Sequence, residues 1–101
     1  MDKIVLKLSD ILKTLDTSEF GLGEGSVTMS VLNVDDIFGL LMKKGIKEVK
    51  VNFGEMFMIT IWTIANIQNY NGKNETNWQA LKLIKDGKIN KFFGIRLYLY
   101  E

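Results

Sequence analysis

The chain contains no cysteine, no histidine and no proline. The first two absences remove thiolate nucleophiles, disulfides, Cys/His zinc sites, haem ligation and every imidazole general base. The third removes any Pro-rich linker. No apolar run approaches the roughly 18 to 20 residues that a membrane span requires. The start, Met1 to Leu8, alternates charged and apolar residues, whereas a signal peptide carries a continuous apolar region. The expectation is a cytoplasmic protein, with no targeting segment and no membrane partner.

What remains is 101 residues, 47% of them apolar and 25% charged. That is the make-up of one ordinary globular domain over 1–101, able to bury a core without disulfides or metals. The formal charge of +1 is unevenly spread. Residues 1–36 hold 3 Lys against 7 Asp and Glu, a net of −4; residues 37–101 hold 10 Lys and Arg against 5 Asp and Glu, a net of +5. Such a split can give a molecule an acidic and a basic side. The near-neutral total argues against strong nonspecific nucleic-acid binding.

Periodicity supplies the elements. Ile4, Leu6 and Leu8 alternate with Lys3 and Lys7, as in a half-buried strand. Ser9 then caps a short helix over Ile11, Leu12 and Leu15. Val27, Met29 and Val31 give a second strand. Asn33 opens a helix with Asp35 and Asp36 at its positive end, Val34, Ile37, Phe38 and Leu41 on one face, and Gly45 closing it. Val49, Val51 and Phe53 alternate as a strand, Gly54-Glu55 reads as a turn, and the apolar run Met56 to Ile64 reads as a central strand. Thr76 or Asn77 caps a last helix with Trp78, Leu81 and Ile84 inward, ended by Gly87. The last strand runs from Lys91 to Tyr100. The expected fold is α+β: one small domain with a mixed four- to five-stranded sheet around a central hairpin, and two or three helices packed on it.

Chemistry-bearing patterns are few. Gly21-x-Gly23-x-Gly25 leads into a strand, lacks Lys and carries Glu24, so it reads as a flexible connection and not a phosphate loop. Asp35 and Asp36 point about 100° apart on a helix and complement its dipole better than they would share a metal ion. Trp62, Trp78 and the methionines 29, 42, 56 and 58 read as core. No pair of carboxylates, lysines or tyrosines has diagnostic spacing, so no catalytic, metal or cofactor residue is assigned and the chain is expected to be non-enzymatic.

The terminal strand carries the most information. Its expected apolar face is Phe93, Ile95, Leu97 and Leu99, and its other face is Phe92, Arg96, Tyr98 and Tyr100. Tyr and Arg favour protein interfaces. The same set can stack bases, with Lys82, Lys85, Lys88 and Lys91 as a phosphate rim. The face could equally lie under a second layer of core. A homodimer or host protein is thus the first expected partner, and a nucleotide or single-stranded nucleic acid the second.

Met29 to Asp36, the helix to Leu41 and Val49 to Glu55 are similar to the middle of the viral ring-nuclease family of anti-CRISPR proteins. Leu83 to Ile89 resembles that family's last helix and Gly-Lys turn, and Trp78 to Lys88 resembles an Ala-Leu…Gly-Lys pattern of small phage proteins. The likeness covers about half the chain. It implies strand, helix, strand, Gly-acid turn and strand in a homodimer that binds a cyclic oligoadenylate. The family's catalytic His follows a Gly just before the middle helix, where this chain has Asn33-Val34. The resemblance therefore implies a non-catalytic relative, a small virus- or phage-encoded inhibitor of host defence acting in the host cytoplasm.

Overall fold

Asn52 and Glu55 exchange two hydrogen bonds. The Glu55 amide donates to Asn52 Oδ1 at 2.8 Å, and the Asn52 amide donates to Glu55 Oε1 at 2.8 Å. This reciprocal pair is a capping box, which satisfies two amides that the first turn of a helix leaves without partners. In the computed structural model, which describes residues 4–66 and 76–100, it starts the longest of the described helices.

In chain order the elements are α1 (Leu8–Leu12), a 3-10 turn (Thr17–Phe20), α2 (Val34–Lys43), β1 (Glu48–Val51), α3 (Phe53–Asn66), α4 (Thr76–Lys85), β2 (Lys91–Phe92) and β3 (Ile95–Leu99). The fold class is α+β, with a mixed sheet in the order β1-β3-β2. β1 runs parallel to β3, with Val49 opposite Leu97, and β2 runs antiparallel to β3, with Phe92 opposite Ile95. A parallel pair needs a long crossover, and α3 and α4 lie in that connection.

The described residues form three strands, not four or five. The run Met56–Ile64 is helical, so there is no hairpin at 49–61, and the strand implied there by the family resemblance is likewise a helix. Its buried positions Met56, Ile59, Thr60 and Ile64 follow helical spacing, which an all-apolar run conceals. The buried Thr60 hydroxyl donates to the Met56 carbonyl at 2.7 Å, which removes the cost of burying it. The first expected strand shrinks to a bridge between Lys7 and Lys50, with the Lys50 amide donating to the Leu6 carbonyl at 2.9 Å. Helix α1 begins at Leu8, before the expected cap Ser9. Residues 27–31 form no strand; only Ser26 makes an isolated bridge, to Asp16. Lys3, the side chains of Thr76 and Asn77, and 67–75 within the Asn-rich stretch fall outside the described residues.

Two helix ends follow the glycine signal closely. Gly45 and Gly87 have φ of 81° and 66°. Ile46 N–H donates to the Leu41 carbonyl and Gly45 N–H to that of Met42, and Lys88 and Gly87 repeat the pattern on Leu83 and Ile84. Both are Schellman caps. Asn33 precedes α2 as expected, but its side chain fastens the preceding turn: Oδ1 accepts from the Ser30 amide at 2.7 Å and Nδ2 donates to the Thr28 carbonyl at 2.8 Å.

The glycine-rich segment 21–25 is tied at its ends by hydrogen bonds. Asp16 Oδ1 accepts from the Ser18 amide at 2.9 Å and the Gly25 amide at 3.2 Å. The Thr17 hydroxyl donates to the Gly23 carbonyl. The Gly25 amide, which a phosphate held by this loop would need, is thus already taken by a carboxylate. Hydrogen bonds from the Ser18 amide and hydroxyl, and then from Gly25, hold the Asp16 carboxyl below its ordinary range.

One core joins the inner faces of the sheet to the helices. Val49, Val51, Phe92, Ile95 and Leu97 meet Leu8, Ile11, Val34, Ile37, Phe38, Leu41, Met56 and Ile59. The helices that supply these residues therefore lie on one side of the sheet.

Two outcomes test this arrangement. Asn52→Ala removes one half of the capping box and should cost about 1 kcal/mol in urea unfolding. A lowered carboxyl pKa stabilises the fold above the unfolded pKa and loses that contribution as pH falls through the folded value. The protection factors of the Ser18 and Gly25 amides against hydrogen exchange, corrected for the intrinsic pH dependence, should therefore fall as pH drops below about 3.8, and Asp16→Asn should remove that acid-triggered step.

Candidate binding face of the sheet

Strand alternation sends one row of side chains into the core and the other outward. In β1 the outward residues are Glu48 and Lys50, in β3 Arg96 and Tyr98, and in β2 Lys91. Lys50, Lys91, Arg96 and Tyr98 are exposed, so no described helix covers this face.

The register sets the side chains in rows. Glu48, Arg96 and Lys91 form one row across the three strands, because Arg96 is opposite both Glu48 and Lys91. Lys7, Lys50 and Tyr98 form the next, since Lys7 bridges Lys50 and Lys50 is opposite Tyr98. Tyr100 lies one residue past β3 and in phase with Tyr98; its amide continues the ladder to the Val51 carbonyl at 2.9 Å. The Lys7 ammonium stands 5.1 Å from the Tyr100 ring centroid, within cation–π range. The Tyr98 hydroxyl donates to Glu48 Oε2 at 3.3 Å, which steadies the ring against the sheet. Among the described residues the face thus carries four cations, Lys7, Lys50, Lys91 and Arg96, with two tyrosines and the carboxylate of Glu48.

Of the residues expected to share the terminal face, Arg96, Tyr98 and Tyr100 do so and Phe92 does not. Phe92 is 6% exposed and belongs to the core. The segment 91–100 is two strands, not one, because the chain reverses at Phe93-Gly94. Both turn residues are left-handed, with φ of 51° and 76°, as in a type I′ hairpin. The reversal puts Phe92 beside Ile95 on the inner face. There its ring lies 5.0 Å from Phe38 and 5.2 Å from Trp62, edge to face in both cases. The left-handed backbone of Phe93 costs about 1 kcal/mol. Its ring contacts with Phe92 at 4.8 Å and Trp62 at 5.9 Å offset a cost of that size.

The expected lysine rim divides. Lys91 joins the face, while Lys82 and Lys85 belong to α4 in the helical layer and Lys88 is exposed in the connection that follows. Sequence reasoning missed Lys7 and Lys50. The alternation Glu48-Val49-Lys50-Val51 identified Lys50 as outward, but only the parallel pairing of β1 with β3 brings it to Tyr98. Trp62 is half-buried in the aromatic cluster, whereas Trp78 and Met42, expected in the core, are 64% and 53% exposed. Among the described residues no three Asp or Glu side chains converge as a metal site, and no helix is long and apolar enough to cross a membrane.

Core and face should separate cleanly under mutation. Phe92→Ala removes a buried ring and should cost about 3 to 5 kcal/mol in denaturant unfolding. Arg96→Ala and Tyr98→Ala should each stay within about 1 kcal/mol of the parent.

No family model, curated protein or solved structure matches this chain.

Proposed function

We propose that the chain is a non-enzymatic binding protein and that its open sheet face takes single-stranded nucleic acid. The observation that supports this most is the composition of the face: Tyr98 and Tyr100 among Lys7, Lys50, Lys91 and Arg96. Every base has a π-face that can lie on a tyrosine ring, and phosphates seek the cations around it. Concentrating these cations on one surface answers the near-neutral total charge, because a local field and not the net charge steers an anionic ligand.

A protein partner on this face fits less well. Interface centres are rich in Tyr and Arg but poor in Lys, and this face has three lysines. The viral ring-nuclease likeness adds no support, because two of the strands it implies are absent here: 27–31 form no strand and 53–66 is a helix.

The test is fluorescence anisotropy with a labelled single strand of about ten nucleotides. Four phosphate contacts predict a log–log salt slope of about −3. Tyr98→Ala should weaken binding about tenfold, and adding Arg96→Ala should flatten the salt slope by nearly one contact. Absence of binding at low salt, or affinity unmoved in the double variant, rejects the reading.

A further inference from the structure

The helical layer, on the side of the molecule away from the sheet face, carries two grooves. One, of about 430 Å³, is lined by Glu19, Phe20, Asp35, Asp36, Gly39 and Leu40, with Lys43 at its end. The other, of about 450 Å³, is lined by Trp78, Leu81, Lys82, Lys85 and Asp86.

Gly39 lies inside α2. A Cβ built there meets nothing within 4 Å, and its φ is not among the positive ones. Neither backbone nor packing within the chain therefore calls for glycine, although glycine in a helix interior costs about 1 kcal/mol against alanine. What the missing side chain does provide is close approach from outside, between Phe20 and Leu40. On α4 the reverse holds. Trp78 is 64% exposed and Leu81 45% exposed, in a residue class that is highly buried on average. The Lys82 ammonium lies 5.8 Å from the Trp78 ring. The first groove thus has an open floor and an acidic edge at Asp35 and Asp36, since Glu19 is paired with Lys44 at 3.2 Å; the second presents exposed Trp78 and Leu81, with Lys82 and Lys85 beside Asp86 at its edge.

We infer that a second copy of this chain joins the two. Trp78 and Leu81 of one copy enter the Gly39 groove of its partner, and Lys82 and Lys85 face Asp35 and Asp36. α2 and α4 both pack on α3, so a two-fold axis passing over α3 makes the contact twice and closes the assembly. The same axis brings together the outer side of α3, where no charged residue follows Glu55, Phe53 is 44% exposed, and Phe57 and Ile61 are only half-buried. A helix apolar all round belongs under cover.

Light scattering of the whole chain tests this independently of nucleic acid. The expected mass is twice 11.6 kDa. Gly39→Leu fills the groove and Trp78→Ala removes the ring that enters it. Each should raise the dimer dissociation constant at least tenfold, while circular dichroism and thermal melting show a folded chain. Charge reversal gives a second arm. A variant with Asp35→Lys and Asp36→Lys, and another with Lys82→Glu and Lys85→Glu, should each be monomeric alone and pair when mixed, because both reciprocal contacts then unite opposite charges. A monomeric parent, a dimer indifferent to Gly39→Leu, or reversed variants that do not pair on mixing overturns the inference. Nucleic-acid binding by the monomeric variants reads the sheet face separately.

Discussion

The reversal at Phe93-Gly94 decides which side chains of the C-terminal segment face water. Were residues 91–100 one straight strand, Phe92 would share a face with Arg96 and Tyr98, by the period of two. The left-handed pair folds β2 back on β3 and puts Phe92 opposite Ile95. The ring then closes the core against Phe38 and Trp62, and the outer face keeps Lys91, Arg96 and Tyr98. Core completion and surface chemistry thus follow from one turn. The Phe93 ring, packed on Trp62 and Phe92, balances the strain of a backbone that glycine or asparagine would adopt more readily.

The same turn marks where the sequence misleads. Hairpins of this kind prefer Asn-Gly or Asp-Gly, and a phenylalanine in the first position hides the signal inside an apolar run. Helix α3 misleads for a different reason. Its apolar residues occupy every direction, so period does not distinguish strand from helix. A local signature of the helix is nevertheless present: Asn52-x-x-Glu55 just before an apolar run is the pattern of a capping box. Gly54-Glu55 resembles a turn only when Asn52 is left out of the pattern. By contrast the extent and buried face of α2 are legible, because an amphipathic stripe, acidic residues at its start and Gly45 at its end all point the same way, although Asn33 does not cap it with its side chain and Met42 is exposed. Gly87 ends α4 as expected for the same reason.

The binding face is half legible. Alternation alone puts Arg96 and Tyr98 on one side of a strand, and that placement needs no tertiary knowledge. Lys7, more than forty residues away from Lys50 along the chain, reaches the face through a single bridge beside β1. Long-range pairing of this type leaves no mark in local composition. Lys82 and Lys85 show the converse. They are close to Lys91 in sequence, but α4 packs on α3 and carries them to the other layer.

Separation of the two layers has a consequence for affinity. Four cations of the described residues lie on the sheet face, so a strand bound there as proposed would be held modestly and in a salt-sensitive way, each phosphate contact contributing through counterion release. The proposed pairing of two copies through their helical layers would leave the two sheet faces pointing away from each other. A strand long enough to span both would bind the second face as an intramolecular event, at an effective concentration set by the length of nucleic acid between them. Affinity would then depend on ligand length in a way that one face cannot produce. Short strands would feel only four cations and two tyrosines, and long strands would feel both sets. The glycine at position 39, unexplained within one chain, would in that case serve nucleic-acid binding without touching it.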